Sequence, residues 1–323
     1  MSKGMEMKRN HTIDLLRVIG LILVISAHCG FSPWFTNIRD FDVILLMFVS
    51  GISFAVTYRK NDHYGNYARK RFFRLIVPVW IFLVLFFVFF GLLGRFFTLS
   101  VIAQSFLLLS GGILFVWVYR VFFTSSLLNP FLDRLEKRFS RTSILILPAV
   151  LVINDLLSMF LFAKLGTVGK VLQHLITYTS AYGMVSFAGI VFWRSAEKER
   201  LLLGLEGLVL FLVSGVILKF PDFYSAKYPP TVYYCGYGLC WSVLLYELFS
   251  RLPLKGEQPL LTWLSVHTMD IFMWHIFAFY LLDTLNPELL EKPWYDFTVF
   301  LGIGIAGAFL QEKCMKAWER RRK

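Results

Sequence analysis

The chain has 323 residues, of which 57% are hydrophobic and only 17% charged, and it includes 34 Phe and 9 Trp. Soluble domains carry about 25% charged residues, so an ordinary water-soluble domain is excluded. The net charge of +12 does not indicate nucleic-acid binding, because Lys and Arg sit in short loops between apolar runs and form no groove-sized patch.

A spanning helix needs about 20 mostly apolar residues. This length predicts an all-α polytopic membrane helix bundle of about ten transmembrane helices. The spans fall near residues 13–33, 41–58, 75–94, 113–132, 143–162, 171–193, 202–219, 231–249, 262–284 and 295–311. Residues 1–323 read as a single integral membrane domain, with 10–12 as a cytosolic lead-in and 312–323 as a basic cytosolic tail. The first apolar stretch is expected to stay in the mature protein. Asp14, Arg17 and His28 punctuate it, and no small-x-small cleavage site follows. The segment 98–112 is apolar but short, and is expected to be interfacial or re-entrant on the outer side.

Charge sets the orientation. With both termini in the cytosol, 25 of the 33 Lys and Arg residues fall on inner segments and 7 on outer loops, with Arg120 inside a helix. Reversal would invert this positive-inside asymmetry. The four cysteines (Cys29, Cys235, Cys240, Cys314) show no CxxC or Cys/His spacing, so neither a zinc site nor a disulfide framework is expected, and no metal is assigned.

Ionisable residues inside spans are costly and point to function. Read as one continuous α-helix, the first span places Arg17 and His28 on one face. Eleven residues leave a net turn of about 20° and a rise of about 16 Å. Asp14 lies about 40° from His28 on the same side. The next cluster is Arg69-Lys70-Arg71-Phe72-Phe73-Arg74. Arg71 and Arg74, three apart, share a helix face, and arginine forks bind phosphate oxygens bidentately. Arg120 follows Trp117 near the outer surface, and Asp42 opens the second helix on the same side, so the two can pair structurally. Lys227-Tyr228-Pro229-Pro230 forms a rigid aromatic outer loop, suited to a membrane belt or to stacking on sugar rings. Helix nine carries His267 and Asp270, spaced to meet, with His275 two turns further out.

These residues resemble a known family. Asp14-Leu-Leu-Arg17 with Ala27-His28 is similar to the Arg-x10-His signature of the acyltransferase 3 family of integral membrane acyltransferases. Phe41-Asp42-Val43 through Ser50-Gly51 resembles that family's second helix, and Arg71-Phe72-Phe73-Arg74 resembles its Arg-x-x-Arg motif. Trp117 to Arg120, Lys227 to Pro230 and Trp274-His275-Ile276 are similar to later landmarks of a branch tied to surface glycans. Asp270 departs from the pattern, standing where an aromatic residue precedes the Trp-His.

The resemblance implies a stand-alone form in a bacterial inner membrane, acetyl-CoA as donor, and a free or lipid-linked glycan as acceptor. The ladder of polar residues then suggests roles. Arg71, Arg74 and Arg17 hold the donor phosphates, and His28 is the general base, with Asp14 serving Arg17. Arg120, Trp117, Asp42, Lys227, Tyr228 and His275 are expected at the acceptor. Two other readings are a transporter or flippase of a lipid-linked glycan, and transfer of succinyl or a longer acyl group.

Overall fold

The computed structural model describes residues 9–58, 63–114, 116–139, 143–252 and 256–321. Among them, all regular structure is helical apart from one bridge between Lys227 and Pro230. The first half of the chain forms α1 (His11–Ser26), α2 (Pro33–Arg39), α3 (Asp42–Thr57), α4 (Tyr64–Leu75), α5 (Val77–Leu92), α6 (Leu99–Phe106), α7 (Trp117–Phe139) and α8 (Ser143–Leu156). The second half forms α9 (Gly166–Leu172), α10 (Tyr178–Arg194), α11 (Glu197–Leu218), α12 (Phe223–Lys227), α13 (Val232–Ser250), α14 (Pro259–Val266), α15 (Thr268–Leu285) and α16 (Pro293–Arg321).

Five helical segments are long and apolar enough to cross a membrane by length and composition: Pro33–Thr57, Tyr64–Leu92, Leu145–Arg194, Glu197–Leu218 and Pro293–Ala317. Helices α1, α7 and α15 are not among them. Helix α1 has only 16 residues, while α7 and α15 carry ionisable residues such as Arg120, Asp270 and His275. These are the helices from which polar groups enter the interior.

The segment Leu145–Arg194 is continuous in helical hydrogen bonding but folds back on itself. Helix α8 packs on α10, and two π-helical turns, Leu157–Leu161 and Gln173–Thr177, flank the bend. Gly166 makes the reversal at φ +54°, a conformation that side chains with a Cβ rarely adopt. Gln173 Nε2 donates to Ser158 Oγ (2.6 Å), and Ser180 bonds Asn154, so both rungs of the hairpin are tied by polar contacts.

The core sits where α3 meets α10 and α1. A Cβ on Gly51 would lie 1.9 Å from the Ser186 carbonyl oxygen, and one on Gly189 would lie 2.1 Å from that of Phe48. The two helices therefore touch backbone to backbone, the close approach that small residues allow between membrane helices. Helix α5 is apolar on all sides and leaves Ile81, Leu85, Val88 and Leu92 exposed. Helix α6 spans eight residues, about 12 Å, too short to cross a bilayer.

Two expected helices differ from their sequence reading. The first ends at Ser26, not near residue 33. Beyond it the chain tightens into a turn in which His28 N bonds the Ile25 carbonyl (3.1 Å). The angle of an ideal α-helix therefore does not apply to the pair Arg17 and His28. Helix nine is broken at His267 into α14 and α15. The break frees Ser265 and Thr268 to face the interior beside α1.

Candidate active site

The site is built on α1. Asn10 caps its N-terminus, accepting from the amides of Thr12 and Ile13. Asp14, in the first turn, is 2% exposed. Arg9 grips it with two bonds of 2.6 and 2.9 Å, and Ser265 Oγ donates to it at 2.7 Å. Arg17, one turn on, lies 3.8 Å from the same carboxylate. It donates to Ser265 Oγ (3.2 Å) and Ser53 Oγ (2.5 Å). Asp14 thus ties α1 to the broken helix and sets the height of the Arg17 guanidinium.

Arg17 lines a cleft of ≈ 200 Å³ together with Arg71 and Arg74 from α4. Arg17 and the distant pair Arg71 and Arg74 converge there, among the hydroxyls of Ser50, Ser53, Ser126 and Thr268. Arg71 lies over the Tyr67 ring at 5.1 Å. Neither Arg71 nor Arg74 forms an ion pair with a described carboxylate. A concave surface with three arginine forks, hydroxyl donors and little negative charge suits a polyanion such as a string of phosphates.

A second cleft, of ≈ 180 Å³, opens at the other end of α1. His28 lines it, beside Trp117, Tyr228 and Phe272. His28 Nδ1 and His275 Nε2 are 3.0 Å apart, with the rings stacked at 9° and centroids 5.1 Å apart. One of the two nitrogens must carry the hydrogen and the other a lone pair. Each ring therefore dictates the tautomer of the other. His275 is fully buried against Phe272.

Around the same cleft lies a buried charge quartet. Lys227 Nζ contacts Asp40 Oδ1 (2.6 Å) and Asp42 Oδ1 (3.0 Å), while Arg39 Nη1 contacts Asp42 Oδ2 (2.7 Å). This corrects the pairing of Asp42 with Arg120. Arg39 is one turn from Asp42 and Lys227 folds over it, so both lobes of the carboxylate are taken. Arg120 instead points toward Tyr178 and His174, and its Nη1 and Nη2 have no hydrogen-bond partner. Lys227 and Asp42 hold loop 224–230 against the start of α3. Trp117 stands edge-on between Tyr178 and Tyr228, with centroids 5.6 Å from each.

The two clefts are separated by one helical turn on three helices. Val43 lines one and Leu46 the other on α3; Val118 and Phe122 do so on α7, and Phe272 and Met269 on α15. One turn is about 5.4 Å. Gly20 on α1 faces this septum, where an added Cβ would lie 2.7 Å from Leu46.

Sequence reasoning missed Ser53 and Ser265 as partners of Arg17, and Arg39 and Asp40 as members of the quartet. Arg39-Asp40-Phe41-Asp42, three charges at the mouth of an apolar run, was the available signal for the latter. His267 and Asp270 meet as their spacing predicts, at 2.9 Å, and Gln311 donates to the second oxygen of Asp270 (3.0 Å). Glu312, one residue on, accepts from Trp263 (2.8 Å). The far half of α16 therefore lies at the end of the bundle where α1 begins. No group of three or more His, Cys, Asp or Glu residues able to hold a metal ion occurs among the described residues.

A family model described as an acyltransferase domain matches residues 10–311. No curated protein and no solved structure matches the chain. The family match runs from the cap of α1 into α16 and so takes in both clefts and the septum between them; the chain belongs to the acyltransferase 3 family of integral membrane acyltransferases.

Proposed function

We propose that the protein moves an acetyl group from cytosolic acetyl-CoA to a hydroxyl of an extracytoplasmic or lipid-linked glycan. The observation that carries this reading is the meeting of two chemically different clefts across one helical turn. One is cationic and suits phosphates; the other is aromatic and lined by His28, whose ring stacks on the buried His275. In this reading ten helices span the membrane: α1, α3, α5, α7, α8, α10, α11, α13, α15 and α16. The bias of Lys and Arg toward one side puts both termini in the cytosol of a bacterial inner membrane. The arginine cleft then opens inward.

Arg71, Arg74 and Arg17 hold the CoA phosphates, and the uncharged pantetheine arm follows α1 toward His28. The acceptor enters the second cleft along Trp117 and Tyr228, whose rings suit the faces of sugars, with Lys227 and Asp42 holding that loop in place. His275 fixes the tautomer of His28. With His28 Nδ1 donating to His275 Nε2, the lone pair of His28 sits on Nε2. That nitrogen removes the proton from the acceptor hydroxyl as its oxygen attacks the thioester carbonyl carbon. The carbon–sulfur bond breaks, the acetyl ester forms, and the proton passes from His28 to the CoA thiolate. Neutral imidazole near physiological pH suits this exchange.

The test is base-labile O-acetyl on surface glycans in three strains: gene deleted, restored with wild type, and restored with His28→Ala at matched membrane levels. Acetyl signal returning with wild type alone supports the reading. Equal restoration by His28→Ala removes His28 from the chemistry. A change in glycan amount without a change in acetylation points to transport instead. Feeding the purified protein succinyl-CoA separates acetyl from longer donors.

A further inference from the structure

Arg120 is the least expected residue of the interior. It is 9% exposed, and both terminal guanidinium nitrogens lack a hydrogen-bond partner. It forms no ion pair with a described carboxylate. Arginine stays charged at any accessible pH, so it cannot escape the cost of burial by losing a proton. A buried cation without a counter-charge is expensive to keep, and an unsatisfied buried group of this kind calls for a reason.

Its surroundings share the deficit. Ser125 Oγ on α7, His174 Nδ1 and Thr177 Oγ1 on the π-helical turn, and Tyr182 OH on α10 are also buried without partners. Helices α7 and α10 pack together here, and Thr179 and Thr124 tie them (3.2 Å). The π-helical turn Gln173–Thr177 falls here, and such turns recur at functional sites. His174 is anchored from the other side by Ser110 Oγ, 3.1 Å from its Nε2. Trp117, one turn before Arg120, lines the second cleft and packs on Tyr178, the ring nearest the guanidinium. The unpaired charge thus lies behind the aromatic wall of the acceptor cleft.

We propose that Arg120 recognises an oxyanion carried by the acceptor, so that the natural acceptor is anionic and not a neutral, carrier-free glycan. The oxyanion is a sugar carboxylate or a phosphate of a lipid carrier, and both present two oxygens to the arginine fork. Tyr178 and His174 supply further polar groups around it. This inference rests on the glycan-acceptor reading above and narrows it.

The test is binding to the full-length protein in nanodiscs of zwitterionic lipid, with three probes: methyl glucuronoside, methyl glucoside and farnesyl diphosphate. A buried charge-assisted bond corresponds to roughly a ten- to hundredfold change in affinity. Wild type is expected to bind at least one charged probe about tenfold or more tighter than methyl glucoside. Arg120→Gln is expected to reduce that preference to within about twofold. Preference for the glucuronoside assigns a sugar carboxylate, and preference for the diphosphate assigns a carrier phosphate. No preference in wild type, or an undiminished preference in Arg120→Gln, overturns the proposal. If Arg120→Gln does not accumulate, Arg120→Lys decides: it keeps the charge but loses the fork, and an unchanged preference overturns the assignment. Acetyl-CoA binding is measured on the same samples. Loss of donor binding in wild type would remove the acetyltransferase reading while leaving an Arg120-dependent anion preference standing.

Discussion

Replacing His275 isolates the role of the histidine pair. His275→Ala deletes the 3.0 Å contact with His28 Nδ1 and opens a small void next to Phe272. Leaving a buried polar group unsatisfied costs about 1–3 kcal/mol. If the contact orders the base as the transition state forms, the same energy appears as a fall in kcat of about 5- to 150-fold. On the proposal that the donor phosphates bind in the other cleft, KM for acetyl-CoA should stay within about twofold of wild type. His275→Gln retains a donor and acceptor at the same depth and should recover part of kcat. The assay is thioester consumption by purified protein over a range of acetyl-CoA concentrations, with acceptor saturating. A variant that folds, keeps full kcat and changes only KM would refute the claim that His275 acts through His28.

Other outcomes follow from the same geometry. Arg71→Ala combined with Arg74→Ala should raise KM for acetyl-CoA by about 10- to 100-fold, since each charged contact is worth roughly 1 kcal/mol at this half-open site; unchanged donor affinity in a binding titration would remove the phosphate assignment. Lys227→Met leaves Asp40 and Asp42 with Arg39 alone, and breaking a buried pair in this way costs about 3–5 kcal/mol. Its melting temperature should fall sharply, and Lys227→Arg should lose less. Gly51→Ala drives a methyl group into the Ser186 carbonyl, and overpacking of this kind costs about 1–3 kcal/mol or more. Reduced membrane accumulation is expected, whereas Gly302→Ala, with open space around it, should accumulate normally.

The all-helical fold was legible because apolar runs of helix length separate short basic loops, and the family was legible because its motifs occur in order. Arg71 and Arg74 could be placed on one face by local spacing alone. Their meeting with Arg17 needs a helix break at His267 and the packing of α4 on α7, neither of which local spacing specifies. The reading of Arg17 and His28 as residues of one continuous α-helix holds only as far as Ser26. Nothing in Ile25-Ser26-Ala27-His28 announces that hydrogen bonding tightens there and the helix stops. The partnership of His28 with His275 joins residues 247 positions apart, and periodicity carries no information at that range. The pairing of Asp42 was misread because Arg120 was the polar residue in view, while Arg39, one turn away, was counted only as a loop charge.

The single turn between the two clefts also has an electrical meaning. If water reaches both clefts in the membrane setting proposed above, the insulating part of the protein is far thinner than the bilayer, about 5 Å in place of about 30 Å. The membrane potential then drops almost entirely across the layer occupied by Gly20, Leu46 and Phe122. A full charge crossing that layer exchanges about 2.3 kcal/mol with the field per 100 mV. A neutral acetyl thioester crosses without that exchange, and so does the neutral thiol that returns once His28 has passed the proton to the thiolate beside it. The rate of transfer in sealed vesicles should therefore depend little on voltage, and the same short layer must stay dry for the cell to hold its gradient.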